Sequence, residues 1–203
     1  VRRASPATLT LDHFDGYTED VARLIPYLQT VTRQRDKGCN VLVYGRPGTG
    51  KSELVRAVAQ HLGLELWEAL SAEDMESVYG SVHSRRTEGY ALAQQLLTRH
   101  EQALLLFDEC EENIPKPLWL VQNTGQATQG KLWFNRLLEN NPVPAVWVCN
   151  DIEFIDRAYI RRFDLVLCID RVPLAARKGI IRDTVQFLGV DEAWIQYVAR
   201  ASE

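Results

Sequence analysis

One short glycine-rich segment has the residue types and spacing that are needed to hold a phosphate group. It matches the pattern G-x-x-x-x-G-K-[ST] and consists of Gly45, Arg46, Pro47, Gly48, Thr49, Gly50, Lys51 and Ser52. Glycines allow the backbone to curl so that successive N–H groups point at the oxygens of one anion. In this pattern the lysine reaches the β- and γ-phosphates, and the serine hydroxyl is a ligand of Mg²⁺. The spacing therefore predicts a site for a nucleotide and its magnesium ion.

Two adjacent carboxylates, Asp108 and Glu109, follow the apolar run Ala103–Phe107. The functional side chains of open α/β sheets lie at the carboxyl ends of the strands, so we expect this pair beside the glycine-rich segment. Asp108 is predicted to hold Mg²⁺ through water, and Glu109 is predicted to be the base for an attacking water. A second acid favours transfer of the γ-phosphoryl group to water over transfer to a kinase substrate. The next two acids, Glu111 and Glu112, fit a solvated turn better than catalytic groups.

Apolar runs and amphipathic segments alternate along the chain, as expected for a parallel sheet with helices on both faces. Strands are predicted at residues 41–44, 64–69, 103–107, 143–149 and 165–169. Helices are predicted between them at residues 51–62, 87–99, 131–139 and 156–162. The first helix begins at the lysine of the glycine-rich segment, so the positive end of its dipole would face the bound phosphate. The predicted architecture is a three-layer α/β domain with a five-stranded parallel sheet.

The strand pattern stops near Val172 and Pro173, and two helices are predicted after it, at residues 174–188 and 192–200. We therefore predict a nucleotide-binding α/β subdomain at residues 1–171 and the start of a small helical lid subdomain at residues 172–203. Because the chain begins with Val1 and stops inside a helical pattern, it is expected to be a piece of a longer protein.

The composition is that of a soluble globular protein, with 46% apolar and 25% charged residues among 203. The 23 basic and 27 acidic residues give a net charge of -4, which provides no overall field for nucleic acid, although a local basic patch remains possible. The four cysteines contain no C-x-x-C pair and the four histidines no H-E-x-x-H, so no metal cluster is predicted. No apolar run approaches the roughly 20 residues that span a bilayer. These features predict a cytoplasmic protein with no membrane partner.

Taken in order along the chain, these motifs resemble those of the AAA+ ATPases over about residues 9–203. The resemblance implies a P-loop fold with the strand order 5-1-4-3-2. It also implies binding of ATP or ADP with Mg²⁺, and hydrolysis of ATP between the subunits of a homo-oligomeric ring, expected to be a hexamer.

The resemblance also assigns roles to polar residues in the second half of the chain. Asn150, after the fourth predicted strand, corresponds to the residue that senses the γ-phosphate and helps to place the attacking water. Arg161 and Arg162 lie where the family carries an arginine finger, which enters the neighbouring subunit's site and stabilises charge on the transferred phosphoryl group. The two arginines are adjacent here, whereas many members separate them by two residues, so either can be the finger.

Two shorter matches concern ligand and substrate contacts. Gly16 and Tyr17 correspond to the motif that forms one side of the adenine pocket; the alternative is that Phe14 and Tyr17 simply pack in the core. The segment Val78-Tyr79-Gly80 resembles the pore segment with which protein-threading members grip a substrate. Arg85 and Arg86, which follow it, can be surface residues without a role in the site.

The glycine- and glutamine-rich stretch at residues 125–130 is predicted to be a flexible loop. The expected function of the whole arrangement is ATP-driven remodelling or unfolding of a protein client. The alternatives are a nucleic-acid motor or loader, and a non-hydrolysing nucleotide switch. The intact Asp108, Glu109 and Asn150 disfavour the switch.

Overall fold

A six-stranded, mostly parallel sheet forms the centre of the protein. The computed structural model describes residues 1–69, 82–114, 124–153 and 155–201. Its strands are β1 (Arg2–Arg3), β2 (Asn40–Tyr44), β3 (Glu65–Glu68), β4 (Ala103–Phe107), β5 (Ala145–Cys149) and β6 (Leu165–Cys168). They lie side by side in the order β1-β3-β4-β5-β2-β6. Strand β2, which leads into the glycine-rich segment, pairs in parallel with both β5 and β6.

The prediction of five parallel strands was wrong by one strand. Strand β1 pairs with β3 in antiparallel register, with Arg2 opposite Glu68, and makes the sheet mixed. A two-residue strand leaves no hydrophobic periodicity in a sequence, so no pattern could have indicated it. Its pairing is supported by the guanidinium of Arg2, whose Nε donates to Glu68 Oε2 at 2.9 Å.

Seven α-helices surround the sheet in the described part of the chain. They are α1 (Thr18–Gln34), α2 (Lys51–His61), α3 (Val82–Leu97), α4 (Thr124–Asn140), α5 (Arg157–Ile160), α6 (Leu174–Val185) and α7 (Glu192–Ala201). Short 3₁₀ helices occur at Leu11–Tyr17, Cys110–Glu112 and Gln186–Leu188.

Helix α1 and the first part of α4 differ from the sequence-based expectations. The α1 helix was not predicted, although its buried Leu24, Leu28 and Val31 follow helical spacing. Pro26 inside this helix is a residue that ordinarily argues against a helix interior. Residues 124–130 belong to α4 and are not the predicted flexible loop. The predicted pore segment at residues 78–80 lies outside the described residues.

Each face of the sheet carries its own hydrophobic core. Along β2, Val41 and Val43 point to the core shared with α1 and α2, whereas Leu42 points to the core shared with α3 and α4. This alternation follows from the two-residue period of a strand. Trp147 is fully buried in the second core, with its ring centroid 4.6 Å from that of Tyr90. The two cores hold the central strands rigidly, so the strand ends can position side chains accurately.

The helical segment after β6 packs back against the N-terminal part of the chain. Gly179 of α6 faces His13, and a Cβ atom at this glycine would lie 3.0 Å from the imidazole ring. Arg182 of α6 forms an ion pair of 2.7 Å with Glu192 of α7. Among the described helices, none combines the length and the apolar character that crossing a membrane requires. The subdomain boundary near residue 171 stays a prediction.

Candidate nucleotide-binding site

The glycine-rich segment forms a tight loop between β2 and α2. Gly45 has a φ of +145°, and a Cβ atom there would lie 2.0 Å from the carbonyl oxygen of Ile169. Gly48 and Gly50 also have positive φ values, of +77° and +87°. The Thr49 hydroxyl lies 2.7 Å from the same Ile169 oxygen and fastens the loop to the end of β6. The loop therefore needs glycine at these positions for steric reasons, as the motif predicts.

Lys51, the first residue of α2, is buried beneath this loop with 6% of its surface exposed. Its ammonium donates to the carbonyl oxygens of Gly45 and Arg46, each at 2.8 Å, and to Asn150 Oδ1 at 3.0 Å. These bonds use all three N–H groups of the side chain. Burial lowers the pKa of Lys51 below its ordinary value of 10.5, although the nearby Asp108 carboxylate opposes the shift. A phosphate oxygen that binds Lys51 would replace one of these acceptors.

Ser52 and Asp108, the two candidate magnesium ligands, are in direct contact. The Ser52 hydroxyl donates to Asp108 Oδ2 at 2.5 Å, and the other carboxylate oxygen accepts the backbone N–H of Glu109 at 2.9 Å. Hydroxyl and carboxylate oxygens are the donors that Mg²⁺ prefers. The donor chemistry of this pair, together with a loop whose glycines adopt positive φ values, fits a magnesium–nucleotide complex.

The backbone turn after β4 is held by Arg86, for which the sequence left a plain surface position open. Arg86 is 6% exposed, and its guanidinium donates to the carbonyl oxygens of Asp108 and Glu109, the latter at 3.1 Å. It also lies over the ring of Phe107, with Cζ 5.2 Å from the centroid. Glu109 has a φ of +50°, which is uncommon for a residue with a side chain. Arg86 thus supports a strained turn that leaves the Glu109 side chain exposed.

A sequence signal for the burial of Arg86 existed. Arg86, Tyr90, Ala93 and Leu97 are spaced by four, three and four residues, which places all of them on one face of α3. The last three are fully buried in the core. A charged residue on such an apolar stripe indicates a buried, hydrogen-bonded role.

Asn150, immediately after β5, bonds to both Lys51 and Glu111. Its Oδ1 accepts from Lys51, and its Nδ2 donates to Glu111 Oε1 at 2.9 Å. Glu111 is half-buried, so the expectation of a solvated side chain was wrong for this residue. The structure thus brings Lys51, Ser52, Asp108 and Asn150 together, and Glu111 is an addition that the sequence analysis did not assign to the site.

Arg161 and Arg162 follow α5 and are both exposed. Arg161 Nε donates to the carbonyl oxygen of Arg157 at 3.3 Å, and Arg162 forms an ion pair with Glu139. Among the described contacts, neither arginine bonds to the glycine-rich loop or to the acidic pair after β4. The chain therefore does not bring these two predicted site residues to its own nucleotide site.

Gly16 and Tyr17 lie next to the connection between β6 and α6. The hydroxyl of Tyr17 accepts the backbone N–H of Arg171 at 2.8 Å and also contacts the Arg171 carbonyl. Burial raises the pKa of Tyr17 above 10.0. Gly16 faces Pro173, whose Cβ would lie 3.4 Å from a Cβ at this glycine. Both residues thus contact the segment at which the α/β part of the chain meets α6.

A cavity of about 390 Å³ opens beside the glycine-rich loop. It is lined by Arg46, Pro47, Gly48, Thr49, Asp170, Arg171, Val172 and Arg177. Its lining comes from the loop, from the segment after β6 and from α6, and its size suits a small polar ligand. Tyr17 reaches this cavity through Arg171, whose backbone it fixes.

A glycine-rich loop between a buried parallel strand and a helix, facing an acid at the end of β4, defines the P-loop class of nucleotide-binding proteins. Residues 41–171 match the family described as ATPase family associated with various cellular activities (AAA). The chain belongs to this family.

Curated relatives include bacterial ATP-dependent zinc metalloproteases. The FtsH 2 protein of Sorangium cellulosum is 27% identical over 175 residues, which are 80% of this chain and 28% of that protein. The FtsH 2 protein of Sphaerobacter thermophilus is 27% identical over 195 residues, which are 88% of this chain and 29% of that protein. The chain thus spans less than a third of the length of these relatives.

Solved structures share the fold at lower identity. A chain of the E. coli MS115-1 HORMA:CdnC:Trip13 complex superposes with a TM-score of 0.64 and 17% identity, covering 91% of this chain and 73% of that one. C. elegans PCH-2 superposes with a TM-score of 0.58 and 18% identity, covering 84% of this chain and 47% of that one. These similarities place the six-stranded α/β fold among known structures.

Proposed function

We propose that this chain is a Mg²⁺-dependent ATPase module that remodels or unfolds a protein client within a homo-oligomeric ring, expected to be a hexamer. The observation that carries the proposal is the contact of side chains from three elements. Lys51 of α2 bonds to Asn150 after β5, and its neighbour Ser52 bonds to Asp108 after β4. Membership of the AAA ATPase family supports ATP as the nucleotide.

The proposed roles follow from the chemistry of each side chain. The backbone N–H groups of residues 45–52 bind phosphate oxygens, and Lys51 binds the β- and γ-phosphates. Ser52 and Asp108 would hold Mg²⁺, which supplies a positive charge that neutralises the developing phosphoryl charge. Glu109 accepts a proton from the attacking water, and Asn150 orients that water against the γ-phosphoryl group.

The remaining roles depend on a neighbouring subunit. An exposed arginine after α5, either Arg161 or Arg162, stabilises the transferred phosphoryl group in the adjacent site. Both are supported in this role by their exposure and by their contacts away from their own chain's loop. Gly16 and Tyr17 form the edge of the adenine pocket, supported by the bonds from Tyr17 to Arg171 beside the cavity.

A protein client is supported by the metalloproteases among the relatives, which are ATP-dependent enzymes by name. The segment Val78-Tyr79-Gly80 is proposed to grip that client. The net charge of -4 gives no general attraction to nucleic acid, so a nucleic-acid motor is the less favoured role.

Phosphate release from ATP, measured at rising protein concentration, tests the proposal. We expect phosphate release to require Mg²⁺ and to increase more than linearly with protein concentration, because the sites are shared between subunits. We also expect an unfolded protein to stimulate the release. Lys51→Ala is expected to lose nucleotide binding, which calorimetry measures directly. Absence of both binding and release in the unsubstituted chain would contradict the proposal. Stimulation by DNA in place of unfolded protein would redirect it to a nucleic-acid motor.

A further inference from the structure

We propose that Glu111 is a positioning residue, whose carboxylate fixes the orientation of the Asn150 side-chain amide against Lys51. The inference rests on the proposed ATPase function and adds to it a residue that bonds to the Asn150 amide nitrogen, whereas Lys51 bonds to the amide oxygen. Glu111 lies in the 3₁₀ helix Cys110–Glu112, immediately after the candidate base Glu109. One short turn therefore carries both the candidate base, Glu109, and the residue that orients Asn150.

The amide of Asn150 has two possible orientations, which differ by exchange of its oxygen and nitrogen. In the observed orientation, Nδ2 donates to Glu111 Oε1 at 2.9 Å and Oδ1 accepts from Lys51 at 3.0 Å. In the exchanged orientation, the oxygen would face the carboxylate and the NH₂ group would face the ammonium. Both contacts would then be repulsive, since a carboxylate only accepts and an ammonium only donates. Glu111 and Lys51 together select one orientation.

The hydrogen bonds of Glu111 are concentrated on Asn150. Oε1 also lies 3.4 Å from the backbone nitrogen of Asn150. Oε2 is buried and has no hydrogen-bond partner among the described residues. Burying part of a carboxylate costs free energy unless its bonds are made, so a half-satisfied carboxylate at this position needs a reason. Orientation of Asn150 supplies that reason.

The orientation matters because Asn150 has one further N–H group. Its Nδ2 carries two hydrogens, and Glu111 accepts one of them. The second stays available for the γ-phosphate or the attacking water, the role proposed for Asn150. Without Glu111 the amide can rotate about its last bond and present its oxygen to an anionic group. We therefore expect Glu111 to affect the hydrolysis step more than the binding of nucleotide.

The test is a double-mutant cycle measured by steady-state ATP hydrolysis and by ADP binding. Glu111→Ala is expected to lower kcat about 10- to 100-fold, the usual loss when the partner that orients a functional side chain is removed. The ADP Kd is expected to change less than about threefold, because ADP lacks the group that Asn150 contacts. Glu111→Gln keeps an acceptor for Nδ2 and should recover most of the rate. Glu101→Ala, an exposed glutamate at the opposite end of β4, is the matched control.

The cycle separates positioning from general support of the fold. In an Asn150→Ala background, Glu111→Ala should produce no further loss of kcat, because its effect passes through the missing amide. Multiplied losses, or an unchanged kcat in Glu111→Ala alone, would overturn the inference.

Side-chain amide resonances of Asn150 give a second readout that does not depend on activity. In ¹⁵N–¹H spectra they should move in Glu111→Gln and stay in place in Glu101→Ala. If the unsubstituted chain hydrolyses no ATP, the proposed function fails, and the amide resonances still decide whether Glu111 holds Asn150.

Discussion

The candidate catalytic residues after β4 and β5 are held by hydrogen bonds within the chain, whereas those after α5 are exposed at the surface. Asp108 and Asn150 at the strand ends, and Lys51 at the start of α2, are fixed by hydrogen bonds within the same chain. At the end of α5, Arg161 and Arg162 are exposed; Arg161 bonds to the carbonyl oxygen of Arg157, and Arg162 bonds to Glu139. One region is preorganised by the fold, whereas the other presents charge to its surroundings.

This difference shows what one chain can preorganise. Preorganised donors lower a barrier because they need no rearrangement during the reaction. The strand ends meet this condition within the chain, because two buried cores hold β4 and β5. The arginines would meet it when another subunit supplies the phosphoryl group, as proposed. The variants below test whether the two regions contribute in these different ways.

The largest effect is expected at the end of α5. Arg161→Ala should lower kcat by about 10³- to 10⁵-fold, the contribution of an arginine finger, with ATP binding unchanged. Arg162→Ala should have a smaller effect, since Arg162 already pairs with Glu139 of its own chain. Phosphate release and calorimetry on each variant provide the measurement.

Mixing variants checks whether the arginine acts on a neighbour. Arg161→Ala combined with Glu109→Gln should recover part of the activity, because some interfaces then contain an intact base and an intact arginine. If every mixture stays inactive, the finger does not act between subunits. A larger loss in Arg162→Ala would assign the finger to that residue instead.

A somewhat smaller loss is expected at the strand ends. Glu109→Gln should reduce kcat by about 10²- to 10⁴-fold, the usual contribution of a general base, while ATP remains bound. The reason is that an amide cannot take a proton from water, although it fills the same space. Single-turnover phosphate release measures this loss, and calorimetry measures binding. Turnover at the unsubstituted rate would show that Glu109 is not the base.

The sequence could predict the strand-end residues because their signals are local. The spacing of Gly45, Gly50 and Lys51 defines one loop, and each of the other strand-end residues follows an apolar run directly. Two of the features that were missed depend on long-range contacts. Glu111 touches Asn150 across 39 residues, and β1 pairs with a strand more than 60 residues away. Such pairings leave no periodic pattern in a single sequence.

An effect of intermediate size is expected at Arg86, which donates hydrogen bonds to the backbone of the turn that carries Asp108 and Glu109. Arg86→Met removes the donors to the carbonyl oxygens of Asp108 and Glu109 but keeps an apolar side chain over Phe107. We expect kcat to fall about 10- to 100-fold, because the strained turn at Glu109 loses its support. ADP binding should change little. Arg99→Met is the control, because Arg99 is exposed and lies just after the end of α3. Equal kcat in both variants would limit Arg86 to packing.

The smallest effect on turnover is expected at the sheet edge, where charges serve stability. Glu68 is 8% exposed and accepts from Arg56 at 2.8 Å and from Arg2 at 2.9 Å. Glu68→Gln should lower the free energy of unfolding by about 1–3 kcal/mol at pH 7, because it removes the buried negative charge that both guanidinium groups contact. The half-buried Glu65 on the same strand pairs with Arg3 at 3.7 Å, and Glu65→Gln should cost less than about 1 kcal/mol. Denaturant unfolding provides both values, and kcat should be unchanged in each variant.

The pH dependence sharpens this contrast with the strand ends. Burial alone would raise the pKa of Glu68, but hydrogen bonds from Arg56 and Arg2 outweigh it and hold the pKa below 4.5. A carboxylate with a lowered folded pKa adds stability above its unfolded pKa and loses this contribution as the pH falls through the folded value. The stability difference between the unsubstituted chain and Glu68→Gln should therefore be constant near neutrality and shrink below about pH 4. A difference that stays constant into that range would mean that the charge of Glu68 does not stabilise the edge.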